Sequence, residues 1–187
     1  MGTTHNFDVP AAATVGIADQ FPSMNAATGR GAYVTGTQLA ALASSGGALV
    51  AGGGTLTMTA AAHAGRTIAL DTATGSVITL PTSTGGGAVY KFLVTVTATS
   101  NSHVIKVGNV TDEMRGFVIQ DADTATAPNT WWAADNDDTI TLNRTTTGLA
   151  AQGEYFEIVD AVAGHFYVRG YSQASGTEAT PFSATVS

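Results

Sequence analysis

The strongest constraint in the sequence is an alternation of apolar and polar side chains, with a period of two, in residues 88–99. The more apolar face of this segment is formed by Tyr90, Phe92, Val94 and Val96. The opposite face carries Lys91, Leu93, Thr95 and Thr97. Because successive side chains of a β-strand point to opposite faces of a sheet, this pattern predicts one long strand with a single buried face.

The same alternation recurs in shorter segments throughout residues 55–187. Their apolar pairs are Leu56/Met58, Ile68/Leu70, Ile78/Leu80, Ile105/Val107, Phe117/Ile119, Ile140/Leu142, Phe156/Ile158 and Phe166/Val168. Glycine- and asparagine-rich turns separate nearly all of them. About ten short strands spaced by turns predict an all-β fold, an antiparallel β-sandwich or jelly-roll-like domain. No repeat of fixed period appears, which disfavours propellers and solenoids.

Residues 1–54 lack a sustained period and predict an extended N-terminal arm instead of a packed domain. We expect one short helix over residues 37–43 and a glycine hinge over residues 52–54. Two interpretations stay open for this arm: a disordered tail, or a segment that becomes ordered on a partner. Its large apolar residues favour the second interpretation and are the predicted partner contacts: Phe7, Val9, Ile17, Phe21 and Tyr33.

Charge and composition exclude several classes of function. Charged residues make up only 11% of the 187 residues, with 7 Lys and Arg against 14 Asp and Glu. So few cations do not form the basic surface that nucleic acid requires. The sequence shows neither the apolar length of a membrane span nor a signal peptide, so we expect no membrane partner and synthesis in a cytoplasm. With no cysteine in the chain, disulfides and thiolate ligands are excluded.

Catalytic and cofactor motifs are missing from the sequence. It contains no HExxH, no GxSxG elbow, no P-loop and no dinucleotide fingerprint, so we predict no enzyme activity, no cofactor and no metal. His103 and His165 each begin a predicted strand, where we expect them to be ordinary, partly exposed polar residues.

The acidic residues between positions 121 and 138 are the densest group of carboxylates: Asp121, Asp123, Asp135, Asp137 and Asp138. Calcium favours several such oxygens brought together by loops, but the spacing is not that of an EF-hand. A solvated acidic loop is therefore the favoured interpretation, and a calcium site stays an open alternative. The same group is the main source of paired carboxylates for a glycan-active enzyme, which is the least favoured function.

Two aromatic patterns suggest a contact surface. Trp131 and Trp132 are adjacent, so in a strand one can enter the core while the other lies on the surface. Tyr167, Arg169 and Tyr171 form an outward row opposite the apolar pair Phe166/Val168. Tyr, Trp and Arg are enriched at the energetic centres of protein interfaces, so these five residues are the predicted subunit-interface candidates. An exposed indole also suits stacking on a sugar ring, and a solvated face remains the alternative.

Turn and core features of residues 55–187 form a recognisable pattern. They are Thr79-Leu80-Pro81 after a glycine turn, the glycines 85–87 before the long strand, Leu142-Asn143, the strand with Gly153, Tyr155 and Glu157, and the closing segment 176–182. The pattern runs through the segments GRTIALDTATGSVITLPTSTGGGAVYKFLVTVTATSNSHVIKVGN and DTITLNRTTTGLAAQGEYFEIVDAVAGHFYVRGYSQASGTEATPF. It resembles a family of β-rich structural proteins of tailed bacteriophages, found as capsid decoration (cement) or fibre-like components.

This resemblance implies a virion structural protein. The leading expectation is a capsid decoration protein that binds the outer capsid surface, with the major capsid protein as partner and a second minor capsid protein as a further candidate. The resemblance also implies a homotrimer. The alternative is a tail-fibre or receptor-contacting module in which the tryptophans and the acidic loop touch a cell-surface glycan.

Overall fold

The computed structural model describes residues 20–24, 31–35, 49–122, 128–149 and 151–186, with the backbone alone at residues 20–24, 31–35 and 122. These residues belong to two compact units, Met1–Gly46 and Gly47–Ser187. In the first unit, β1 (Gln20–Met24) and β2 (Gly31–Thr35) pair in antiparallel fashion. This strand pair differs from the extended arm predicted for residues 1–54. Its register is given by backbone pairing alone, and residues 1–54 show no sustained period-two alternation from which these strands could have been predicted.

The predicted contact residues of the arm are only partly covered by the structure. Phe21 lies in β1 and Tyr33 lies in β2. Phe7, Val9 and Ile17 fall outside the described residues, as does the predicted helix over residues 37–43.

In its described residues the second unit is all-β apart from one single-turn helix, Ala60–His63, whose first turn is capped by the Thr59 hydroxyl. Its strands are β3 (Val50–Ala51), β4 (Thr55–Thr57), β5 (Thr67–Leu70), β6 (Ser76–Thr79), β7 (Ala88–Val94), β8 (His103–Lys106), β9 (Glu113–Ala122), β10 (Asn129–Trp132), β11 (Thr139–Leu142), β12 (Tyr155–Val162), β13 (His165–Ala174) and β14 (Phe182–Ser183). The predicted all-β class is confirmed.

The strands of this unit form two sheets. The larger sheet has seven strands in the order β10-β9-β13-β12-β7-β5-β3, and the smaller has five in the order β14-β11-β8-β6-β4. Buried side chains from both sheets make one hydrophobic cluster, in which Tyr90, Phe92, Phe156 and Phe166 are the largest fully buried residues.

The chain between β3 and β8 winds alternately through the two sheets. β3, β5 and β7 are parallel neighbours in the larger sheet, and β4, β6 and β8 are parallel neighbours in the smaller one. The prediction of antiparallel pairing is therefore wrong for these strands, and it is also wrong for β9 with β13, which are parallel. The remaining strand pairs described in this unit are antiparallel, as predicted. Stacked parallel neighbours of this kind also occur in solenoid proteins. Here the turns differ in length, so the sequence has no fixed repeat.

Glycines allow the turns of this winding to stack closely. The N–H of Gly52 donates to the Ala69 carbonyl at 2.9 Å, and a Cβ at Gly52 would lie 2.6 Å from that oxygen. Gly75 has φ +87, and its Cβ would lie 2.4 Å from the Ser102 carbonyl oxygen. The predicted hinge at residues 52–54 is thus a turn of the folded unit, which begins at Gly47 and not at residue 55.

Two predictions about individual strands are wrong. The strand predicted over residues 88–99 ends at Val94, because the N–H groups of Thr95 and Val96 both donate to the Leu70 carbonyl at 3.1 Å. In β9 the buried apolar residues are Met114 and Val118 instead of the predicted pair Phe117/Ile119. Both faces of β9 carry apolar side chains, Phe117 and Ile119 on one and Met114 and Val118 on the other, so these residues alone do not determine which face is buried.

A buried carboxylate, Asp160 at the end of β12, holds the loop that leads into β7. Its Oδ1 accepts hydrogen bonds from the Ser83 hydroxyl (2.8 Å) and the Gly85 N–H (2.8 Å), and its Oδ2 accepts from the Thr84 N–H (3.0 Å) and hydroxyl (3.0 Å). Burial raises the pKa of Asp160, but these hydrogen bonds lower it more, so the net pKa lies below the usual 3.8. The ionised carboxylate is therefore the form that fits this loop.

We expect Asp160→Asn to lower the free energy of unfolding by about 1.5–3 kcal/mol at pH 7, because it weakens hydrogen bonds to a charged acceptor. The pKa of Asp160 is lower in the folded state than in the unfolded state. The ionised carboxylate therefore contributes to stability above pH 3.8, and this contribution is lost as the pH falls below 3.8. Urea unfolding from pH 7 to pH 3 measures both effects. Asp135→Asn, at a side chain that is 87% exposed, is the control and should change stability by less than about 0.5 kcal/mol. Equal losses in the two variants would contradict this role.

Candidate functional site

The candidate site is the outward side of the larger sheet, which we call the aromatic sheet face. One side of β12 and β13 is buried and carries Phe156, Ile158, Phe166 and Val168. The alternate side chains of both strands therefore point outward. The aromatic and apolar members of the face are Val89, Leu93, Phe117, Ile119, Trp132, Tyr155, Val159, Tyr167 and Tyr171. Its charged members on the strands are Lys91, Glu113, Arg115, Asp121, Glu157 and Arg169, and Asp135 of the loop after β10 contacts Arg115.

The pairing register brings a row of side chains together across the middle of this face. Glu157 lies opposite Arg169 in the β12–β13 pair, and Arg169 lies opposite Phe117 in the β13–β9 pair. Phe117 in turn lies opposite Trp132 in the β9–β10 pair. The Arg169 Nε donates to Glu157 Oε1 at 2.8 Å, and its terminal nitrogen contacts the same oxygen. An ion pair therefore lies at the centre of the face, next to two aromatic rings.

Trp132 is the most exposed aromatic side chain of the face, at 68% of its accessible area. Its ring lies 5.0 Å from the Phe117 ring at an angle of 46°. Together with Val159, Tyr167 and the backbone of Gly116 these rings line an open groove of about 410 Å³. Gly116 has φ +110, and a Cβ there would lie 2.0 Å from the Val168 carbonyl oxygen, so a side chain does not fit at this point of the groove.

Trp131 points to the opposite side of the strand, as expected for adjacent residues. It packs against the hydrophobic core, and its Nε1 donates to Gln120 Oε1 at 2.7 Å. Gln120 is buried and its Nε2 donates to the Thr146 carbonyl at 3.0 Å. The two tryptophans therefore have different roles: Trp131 fixes β10 and a neighbouring loop, and Trp132 lies on the surface.

Two of the three tyrosines of the face, Tyr155 and Tyr171, are held by carboxylates next to them. The Tyr155 hydroxyl donates to Glu157 Oε2 at 3.2 Å, and the Tyr171 hydroxyl donates to Asp121 Oδ2 at 3.3 Å. Partial burial raises the pKa of both tyrosines, and the adjacent carboxylates raise it further. Both rings are therefore neutral hydrogen-bond donors at ordinary pH.

The acidic residues predicted as one cluster have separate partners. Asp138 is buried and accepts the N–H groups of Thr185 (2.9 Å) and Val186 (3.0 Å), which fixes the C-terminal segment. Asp137 accepts the Ala134 N–H at 2.7 Å, and Asp135 pairs with Arg115. Asp123 lies outside the described residues. In the part of the chain that the structure describes, no three His, Asp or Glu side chains are grouped to hold a metal ion.

His103 differs from its prediction because it is fully buried. Its β8 position lies beside Ser76 of β6, and neither His103 Nδ1 nor Ser76 Oγ has a hydrogen-bond partner among the described residues. Burial lowers the pKa of His103, although the Val96 carbonyl and the Asp71 carboxylate oppose this shift. His165 is partly exposed as expected, with its Nε2 3.6 Å from Glu113 Oε2.

Sequence reasoning found part of the aromatic sheet face and missed the rest. It identified Trp132, Tyr167, Arg169 and Tyr171, which the structure places on one surface, and it included Trp131, which lies on the other side. It missed Tyr155, Glu157 and Val159, although their alternation with Phe156 and Ile158 was a usable signal. It also missed Phe117, because the buried face of β9 was assigned wrongly.

Comparisons of the chain with protein-family models, with curated proteins and with solved structures give no significant match. Among the described residues, no helix has the length and apolar character needed to cross a membrane.

The two adjacent tryptophans provide a matched test of this geometry. We expect Trp131→Ala to lower the free energy of unfolding by about 3 kcal/mol, because it removes core contacts and leaves Gln120 without its indole donor. We expect Trp132→Ala to change it by less than about 0.5 kcal/mol in dilute protein, because that side chain is exposed. Urea unfolding at one low protein concentration compares the variants. A larger loss for Trp132→Ala than for Trp131→Ala would contradict the assigned faces.

Proposed function

We propose that the protein is a virion structural protein of a tailed bacteriophage, a capsid decoration protein on the outer surface of the head. The observation that carries this proposal is the aromatic sheet face, a broad and rigid contact surface. Exposed Trp, Tyr and Arg side chains on regular strands have the composition of interface hot spots. The resemblance of residues 55–187 to phage structural proteins supplies the setting.

The engagement of the buried acidic residues supports a structural role. Asp112, Asp138 and Asp160 each accept backbone N–H groups from segments 29 or more residues away in the chain. Glu154 accepts the N–H groups of the nearby residues Leu149 and Ala151, which fixes the loop before β12. In this proposal the protein is not an enzyme, and it acts through binding surfaces. A shell protein needs a fold that resists distortion, and a carboxylate that accepts several hydrogen bonds provides local rigidity.

In finer detail we propose that the second unit is a β-sandwich and not a jelly roll. Its two sheets contribute to one core, as the layers of a sandwich do. A jelly roll is built from antiparallel Greek keys, whereas β3 to β8 are wound with parallel neighbours.

The N-terminal segment is the proposed attachment to the shell. Residues such as Phe7, Ile17 and Phe21 would bury their side chains on the major capsid protein, with a second minor capsid protein as a further candidate partner. Three arms on a homotrimer would bind together at high effective concentration. The protein would be made in the host cytoplasm and would add to shells after they form.

A tail-fibre or receptor-contacting role is the second candidate, and one observation favours it. The groove beside Trp132 combines exposed aromatic rings with the polar Arg169–Glu157 pair, a combination that also suits a sugar ring.

We expect the arm to be required for shell binding but not for folding. Full-length protein, a form lacking residues 1–46, and a full-length Phe7→Ser/Ile17→Ser variant are each added to shells that lack the protein, and co-sedimentation is measured. Each large side chain buried on the shell contributes about 1.5–3 kcal/mol, so losing two should weaken binding by about 100-fold or more. The truncated form begins at Gly47 because Val50–Ala51 is a strand of the folded unit and must be kept.

Equal binding by all three forms would contradict the role of the arm. If none of them binds shells and all bind host cells, the fibre role replaces the decoration role. Circular dichroism of each form before the assay establishes that a loss of binding is not a loss of folding.

A further inference from the structure

We propose that residues 95–102, the loop between β7 and β8, form a flap that opens when the buried imidazole of His103 takes up a proton. The flap connects the larger sheet to the smaller one, and His103 follows it as the first residue of β8. Such a device is independent of the aromatic sheet face and goes beyond the proposed function, because it makes one end of the core respond to acid.

The ring of His103 is enclosed but poorly hydrogen-bonded. His103 is fully buried, and its neighbours in the sheet are Ser76 of β6 and Leu142 of β11. Its Nε2 lies 3.4 Å from the carbonyl oxygen of Val96 in the flap, which is a long contact. Its Nδ1 and the buried Ser76 hydroxyl have no hydrogen-bond partner among the described residues. This site accommodates a neutral ring and provides little stabilisation for a charged one.

The charged groups on the surrounding segments do not compensate an imidazolium. The flap and β6 carry no charged residue, and Lys106 points to the other face of β8. Asp71, after β5, is the carboxylate whose field favours the charged ring, but it already accepts the Gly53 N–H at 2.9 Å. Arg144, after β11, is itself a cation, and Glu154 accepts N–H groups of its own loop. Burial therefore outweighs the attraction and holds the pKa of the imidazole below its usual 6.5.

The flap is the part of this enclosure that opens most readily. Its residues are all described and belong to no strand, and Ala98 is the only buried residue among them. The N–H groups of Thr95 and Val96 share one acceptor, the Leu70 carbonyl, at 3.1 Å each. Segments with few buried contacts open locally without global unfolding. Opening brings the imidazole into water and withdraws Ala98 from the end of the core.

Proton uptake and opening are linked through the two states of the imidazole. In the open state the ring is exposed and has its ordinary pKa of about 6.5, whereas in the closed state its pKa is lower. The closed flap therefore has its full stability above pH 6.5 and loses stability as the pH falls below 6.5. Each pH unit in this window changes the opening equilibrium by up to about tenfold. The window is separate from that of Asp160, which lies below pH 3.8.

Hydrogen exchange of the full-length protein, measured by NMR at individual amides, tests the flap. Between pH 7.5 and 5.5 we expect the protection factors of Thr95 and Val96 to fall by about three- to tenfold, while those of β12 and β13 stay constant. His103→Leu removes the titrating group and keeps a similar volume, so the fall should disappear. His165→Gln is the matched control, because His165 also begins a strand but is partly exposed, and this variant should keep the fall.

Several outcomes would overturn the inference. These are constant protection of the flap in the unmodified protein, a fall of the same size in His103→Leu, or an equal fall in β12 and β13, which would indicate global unfolding. NMR titration of the His103 ring protons in the unmodified protein gives a second measurement that does not require the variant to fold. We expect a pKa below 6.5, and titration at or above 6.5 while the flap amides stay protected would also contradict the flap.

Discussion

Burial of one face of each sheet in a common core is the constraint on which the rest of this structure depends. The core fixes which side chains of β12 and β13 point inward, with Phe156, Ile158, Phe166 and Val168 all buried. Since strands alternate their side chains, this choice also fixes which residues point outward. Tyr155, Glu157, Tyr167 and Arg169 therefore lie on one surface as a consequence of packing on the other side. The aromatic sheet face is the outer counterpart of the core.

Hydrogen bonds to buried carboxylates explain how loops of different lengths are held around that core. The winding of β3 to β8 connects the sheets by turns with no common length, and such turns cannot rely on a repeated geometry. Asp160 holds the loop before β7, and Asp138 holds the C-terminal segment beside β11. Each carboxylate accepts backbone N–H groups of its segment and so fixes the path of that segment over the core. The low fraction of charged residues thus includes acids that stabilise the fold.

The sequence was sufficient to predict the fold class and most buried residues, but not the topology. Period-two alternation identifies Ile78, Ile105 and Phe166 as core residues because it reports burial directly. It carries no information about which strands are neighbours, so the parallel winding was missed. In β9 both faces carry two large apolar side chains, and the assignment of Phe117 failed for that reason. The partners of Asp160 are 75 to 77 residues away in the chain, a separation that local patterns do not report.

The central claim is that one aromatic sheet face is exposed in the single chain and covered in the assembled protein. Hydroxyl-radical footprinting of dilute protein and of assembled protein tests this claim most directly, because it reports the accessibility of each ring separately. The account predicts strong modification of Trp132, Tyr167 and Tyr171 in dilute protein and their protection on assembly, with little change at the core-facing Trp131. Unchanged modification of Trp132 and Tyr167 on assembly would contradict it.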